Sequence, residues 1–199
     1  MTANRIKQVA LKHFANHGYE GASLADIAAE VGIKTPSIYA HFKGKDDLFL
    51  QVIQDIAEEE LSFLKRSFQE HKDQSFKTSL YQVLVSYKER YEQDLQMKFW
   101  LRMSFFPPLH VKEQVDRYVM EYLDRAEQLL VTVFASAIES GVIARVGAER
   151  ATIAYMAMMD SIFVEMLYGG EERSQKRLEA AWAIFWRGVV ASDEQGGTE

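Results

Sequence analysis

The stretch SLADIAAEVGIKTPSIYAHF, residues 23–42, decides the reading of the whole chain. Ser23 is a good helix cap, and Asp26 three positions on completes a capping-box pattern. A helix over 24–31 follows, turning Leu24, Ile27, Ala28 and Val31 inward, with Ala28 small where a second helix has to cross closely. Gly32 supplies the positive φ that ends a helix in a tight turn, and Ile33 follows as a buried anchor. Thr35 suits an N-cap and Pro36 the first position of a second short helix over 36–42. Ile38 and Phe42, four apart, face inward. Lys34, Thr35, Ser37, Tyr39 and His41 are left on or near the outside. This is the pattern of a helix-turn-helix, whose second helix enters the DNA major groove with its N-terminal residues toward the base edges. An ordinary helical hairpin is the plainer alternative. Ala28, Gly32 and Ile38 coinciding with two cap signals favour the helix-turn-helix.

Working outward, the remaining sequence reads as all-α. Apolar residues recur every three or four positions, and the only prolines are Pro36, Pro107 and Pro108. A first helix over 5–17 carries Ile6, Val9, Ala10 and Phe14 on one face and stops at Gly18 and Gly21. After Gly44 a long helix over 46–71 buries Phe49, Val52, Ile53, Ile56 and Leu64. Phe76, Leu80, Val83, Leu84, Tyr87 and Tyr91 mark the next helix. An aromatic helix over 95–106 stops at Pro107-Pro108. Helices over 109–140, 148–168 and 171–191 complete the chain. The division expected is a head at 1–47, a body at 48–191 and a polar, disordered tail at 192–199.

The net charge of −6 at first argues against nucleic acid. The distribution reverses that. Residues 1–50 carry six Lys and Arg against five acids, while the other 149 carry 17 against 24, giving a mildly basic head on an acidic body. There are no cysteines, so disulfides and thiolate chemistry are excluded. No signal-peptide core opens the chain. The most apolar stretch, 155–168, is interrupted by Asp160 and Glu165, so no membrane partner and a cytoplasmic location are expected.

From Phe14 through HGYEGASLADIAAEVGIKTPSIYAHFKGKDDLF to Phe49, the sequence resembles the tetracycline-repressor (TetR) family of transcriptional regulators. The likeness is specific over about residues 5–50. Beyond that only length and helix pattern agree. It implies about nine helices, a three-helix DNA-binding head, a ligand-binding and dimerisation body, a homodimer on double-stranded operator DNA, and a small-molecule effector of unknown identity. Gly44 stands where Ser is common in the family, and is still an acceptable cap. Carried over position by position, Ser23, Tyr39, His41 and Lys45 match residues that hold phosphates, and Lys34, Thr35, Pro36 and Ser37 match residues at the groove. The chemistry is suitable: hydroxyls, a ring N–H and an ammonium donate to phosphate oxygens, and Thr35 and Ser37 can bond base edges. Tyr39 could instead be a core aromatic beside Phe42, and His41 an idle surface ring.

In the body, aromatic and Met side chains form a candidate apolar ligand site, with Phe99, Trp100, Met103, Tyr122, Met156, Asp160 and Phe163 as contacts. Plain core is the competing reading for each. Asp160 lies between apolar residues and reads as a buried carboxylate, held by a Tyr, an Arg or a cationic or hydroxyl-bearing ligand. Leu178, Ala181, Trp182, Phe185 and Val189 form an apolar stripe that suits a dimer interface, helped by small residues at 154, 157, 180 and 181. His13 and His17 have a spacing a metal could use, but no third ligand accompanies them, so no metal or other cofactor is expected. No Walker loop, GxGxxG or GxSxG occurs, and no catalytic residue is assigned. The function expected is a repressor released from a palindromic operator by a small, mainly apolar ligand. A constitutive DNA-binding regulator is the nearer alternative, and a helical enzyme the more distant one.

Overall fold

The computed structural model describes residues 3–144 and 146–190, so the expected tail at 192–199 lies outside the described residues. Among them are eight α-helices: α1 (Ala3–Gly21), α2 (Leu24–Val31), α3 (Lys45–Glu70), α4 (Phe76–Gln93), α5 (Leu95–Phe105), α6 (Lys112–Glu139), α7 (Ala148–Tyr168) and α8 (Gly170–Val189). Two short 3-10 turns, Thr35–Ser37 and Leu109–Val111, lie between them. The all-α reading is correct. The nine-helix count differs because the second helix of the helix-turn-helix, expected over 36–42, is a single 3-10 turn. It continues through Ile38, whose carbonyl accepts from the amides of His41 and Phe42 at 2.9 Å each.

The chain forms two compact units. Among the described residues, the first comprises 3–63 and 89–123, and the second 64–88, 124–144 and 146–190. The helices α3, α4 and α6 each give residues to both, so the units cross the boundary expected at residue 47.

In the first unit, Ile6, Val9, Ala10 and Phe14 of α1 are buried, together with Ile27 and Ala28 of α2 and Leu48, Phe49, Val52 and Ile53 of α3. Phe14 meets Phe49 edge-on at 5.1 Å. Lys7 pairs with Asp55, tying α1 to α3, and Glu30 at the end of α2 accepts from Lys12 and bonds His13, both at 2.8 Å. Lys12 first and His13 second hold the Glu30 carboxyl below its ordinary range. Deeper in the unit, Glu60 is fully buried and receives two bonds from Arg90, at 2.9 and 2.7 Å.

The second unit is built on the α7–α8 hairpin. Its core centres on Phe134, Tyr155 and Phe185, with ring centroids 5.7–6.3 Å apart, and the buried Tyr155 hydroxyl donates to the Leu80 carbonyl at 2.7 Å. Glu165 gathers Arg173 at 2.9 Å and also Arg177, fixing α8 on α7. By length and composition α7 is apolar enough to cross a membrane, contrary to the sequence reading. Here it packs as a core helix, burying Tyr155, Met158, Met159, Ile162 and Met166.

Gly32 caps α2 at φ +81°, its amide and that of Ile33 returning to the carbonyls of Ala29 and Ala28. A Cβ there would touch nothing within 4 Å, so the only penalty is the left-handed backbone. Gly32→Ala is expected to lower stability by about 1–2 kcal/mol. Gly44→Ala, with equal space and no positive φ, is expected to be neutral in the same denaturant titration.

Candidate nucleic-acid interface

From Val31 through Lys45 the sequence has three lysines, Lys34, Lys43 and Lys45, and no acid. The fold turns this segment outward. Ile38 and Phe42 are 0% and 2% exposed and hold it to the core, while Lys34, Pro36, Ser37, Tyr39, His41 and Lys43 are exposed. Thr35 is half-buried. Tyr39 is 58% exposed, which removes the reading of it as a core ring. His41 is also exposed, its ring 6.3 Å from that of Phe42. The result is one short ridge of hydroxyls, an imidazole and ammonium groups on a rigid support.

One cap assignment needs correction. Lys34, not Thr35, occupies the N-cap of the 3-10 turn and makes no side-chain cap bond, while Pro36 sits in the first turn as expected. Proline's fixed φ begins the turn without a capping hydroxyl, leaving the Thr35 side chain for other partners. Ser23 does cap α2, accepting the Asp26 amide at 3.1 Å. Its hydroxyl donates to the Asp26 carboxylate at 2.6 Å. A phosphate at Ser23 therefore has to share this hydroxyl with Asp26.

Lys45 opens α3 and is half-buried. Its ammonium stands 4.3 Å from the centroid of the Tyr19 ring and donates to the Glu20 carbonyl at 3.5 Å. Tyr19 donates its hydroxyl to the Asp46 carboxylate. Burial first, and then Asp46, raise the phenol well above its usual range, so it stays a donor. Asp47 anchors the turn before α3, accepting from the Gln51 side chain at 2.9 Å and the Lys43 amide at 2.7 Å. These bonds hold its carboxyl below the ordinary range. Sequence reasoning missed Tyr19 as the support of Lys45. The pair joins α1 to α3 across the fold, and no local pattern announces it.

The candidate ligand residues divide between the units. Phe99, Trp100, Met103 and Tyr122 are buried in the first, with Trp100 edge-on to Tyr122 at 5.4 Å. Met156, Asp160 and Phe163 belong to the second, where Phe163 meets Tyr87 edge-on at 5.4 Å. Asp160 is exposed rather than buried. Helical spacing puts it on one outward stripe with Ile153, Ala157, Val164 and Tyr168. Partial desolvation by its neighbours still raises its carboxyl above the ordinary range.

The expected dimer stripe is also corrected. Leu178, Trp182 and Val189 are 0%, 9% and 6% exposed and pack within their own unit, and Ala181 and Phe185 are half-buried. The outward apolar face of the hairpin comprises Ile153 and Val164 of α7, at 57% and 40% exposed, and Ile184 of α8 at 70%. Small residues Ala154, Ala180 and Ala181 line a shallow groove of about 860 Å³ beside Ile184.

Comparison with known proteins agrees with this architecture. Residues 6–52 match the family model for bacterial regulatory proteins of the tetR family. The chain is 29% identical over 108 residues to the biofilm operon icaADBC negative transcriptional regulator IcaR of Staphylococcus epidermidis, covering 52% of this chain and 54% of that one. It is 28% identical over 135 residues to the transcriptional regulator AcrR of Shigella flexneri, covering 65% and 62%. The chain thus spans less than two thirds of the length of the curated relatives it matches. A crystal structure of a regulator from Mesorhizobium loti, assigned to the TetR family, superposes over 95% of this chain and 96% of its own. The TM-score is 0.76 and the identity 18%. Residues 6–52 are thus similar to the tetR family of bacterial regulatory proteins, and the helical fold of the described residues is similar to that of the Mesorhizobium loti regulator.

Proposed function

We propose that the chain is a transcriptional repressor that binds a palindromic operator as a homodimer and is released by a small, mainly apolar ligand. The exposed ridge from Lys34 to His41, held by the buried Ile38 and Phe42, carries this reading. Ser23, Tyr39, His41 and Lys45 donate to phosphates and fix the register. Lys34, Thr35, Pro36 and Ser37 read the groove. A two-fold dimer through the outward face of α7 and α8 sets two such ridges about one DNA turn apart, roughly 34–36 Å. Such a regulator works in the cytoplasm, where bacterial DNA lies, and the reading assigns it no catalytic step.

Phe99, Trp100, Met103 and Tyr122, all within the first unit, remain the candidate ligand contacts. A ligand that prefers the released state by roughly 1–3 kcal/mol would lower operator affinity 5–150-fold. A ligand with no such preference shifts nothing.

The test is selection of bound duplexes from a random-sequence pool, followed by anisotropy titration of the winners. Enrichment of an inverted repeat supports the reading, and equal binding of selected and unselected duplexes refutes it. Tyr39→Ala is expected to weaken selected and scrambled duplexes alike, because phosphates carry no sequence information. Ser37→Ala is expected to change the order of preference among selected sites. A Tyr39 variant with relaxed preference and full affinity would reverse these roles.

A further inference from the structure

We propose that His110 is a positioning residue for the DNA contact of Lys45, acting through the Tyr19 ring and the Asp46 carboxylate. The inference rests on the reading of Lys45 as a phosphate donor. His110 sits in the 3-10 turn Leu109–Val111, just after Pro107-Pro108, and belongs to the same compact unit as α1 and the start of α3. Val111 is 2% exposed and anchors that turn, whereas Leu109 is 89% exposed. The His110 ring lies 4.6 Å from the Tyr19 ring. Its Nε2 is 3.5 Å from the same Asp46 oxygen that accepts the Tyr19 hydroxyl.

Tyr19 is therefore fixed by several partners. Phe14 stacks on it at 6.0 Å, Phe49 meets it edge-on at 5.2 Å, Asp46 takes its hydroxyl, and His110 packs on the ring. Lys45 leans on that same ring at 4.3 Å. A lysine is a point charge on a flexible stem, and ordering it against DNA loses rotamer freedom. A ring that holds the stem before binding reduces that loss. The Glu20 carbonyl engages one of the three ammonium donors and leaves others for a phosphate oxygen. His110 touches both the Tyr19 ring and the Asp46 carboxylate that holds its hydroxyl, so its effect on DNA passes through Lys45.

The test is a double-mutant cycle on the full-length protein, with one selected duplex titrated across a range of salt concentrations. Lys45→Ala is expected to weaken binding and to reduce the salt slope by about one. His110→Ala is expected to weaken binding roughly 2–5-fold, the worth of a cation–π contact, and to have no further effect once Lys45 is Ala. Tyr19→Phe, which keeps the ring but loses the Asp46 bond, should show the same dependence on Lys45. Equal losses from His110→Ala with and without Lys45, or no loss with Lys45 present, would overturn the proposal while leaving the phosphate reading intact. An unchanged affinity and slope for Lys45→Ala would overturn the phosphate reading, and the proposal with it.

Discussion

Ile184→Asp is expected to convert the proposed dimer to single chains and to lower operator affinity by roughly 10²–10⁴-fold, the avidity lost when two linked sites become one. Ile184 is 70% exposed and lies beside the groove lined by Ala154, Ala180 and Ala181. With Ile153 and Val164 of α7 also exposed, the hairpin presents the kind of apolar patch that marks an interaction surface. A carboxylate there would have to shed its water in the dimer and would stay solvated in the free chain. The melting temperature of the single chain should change little. Trp182→Ala is the contrasting control: its ring packs on Tyr81 at 5.4 Å and Phe185 at 5.9 Å within its own unit. It should cost about 3–5 kcal/mol of fold stability. Light scattering and thermal melts of both variants check this. An Ile184→Asp protein that stays dimeric would move the interface elsewhere.

Arg90→Ala is expected to destabilise the protein by about 3–5 kcal/mol, because it leaves the buried Glu60 charge without its partner. For a chain of this size that is a fall of roughly 6–20 °C in Tm. Arg90 grips Glu60 through both nitrogens, reaches Asp94 at 3.2 Å, and lies 4.0 Å over the Phe63 ring. Burial pushes the Glu60 carboxyl above its ordinary range, against the opposing pull of Arg90. Removing Arg90 removes that pull and raises the carboxyl further. A folded-state pKa above the unfolded value gives stability that is present at low pH and lost as pH rises through the folded value. The deficit of Arg90→Ala should therefore shrink as the medium is acidified toward the ordinary carboxylate range. Melts at pH 7.5 and pH 5 measure it. A loss under 1 kcal/mol, independent of pH, would mean that water reaches Glu60 in the variant.

The head was legible in sequence because its determinants are local. Ser23 and Asp26 lie three apart, Gly32 carries its own signal, and Ile38 and Phe42 repeat at helical spacing. Even there the length of the second helix was misjudged, since a cap and a proline mark where a helix starts and say little about where it stops. The body was less legible for a geometric reason. On α8 both the inward set, Leu178, Trp182 and Val189, and the outward set, Ala180 and Ile184, obey helical periodicity, and periodicity cannot say which faces the chain's own core. Asp160 misled for the opposite reason. Its sequence neighbours Met158, Met159 and Ile162 are buried, but they lie around the helix from it. The supports of Lys45 come from α1 and from the turn at Leu109–Val111, and only the fold brings them together.

The ridge proposed to meet DNA is fastened by two side chains, Ile38 and Phe42, while Lys34, Pro36, Ser37, Tyr39 and His41 stand clear of the core. Exposed positions of this kind usually tolerate replacement within about 0.5 kcal/mol. A gene duplicate could therefore drift to a new target sequence one surface substitution at a time without passing through an unfolded ancestor. Its core, and whatever signal its body answers to, would be inherited unchanged.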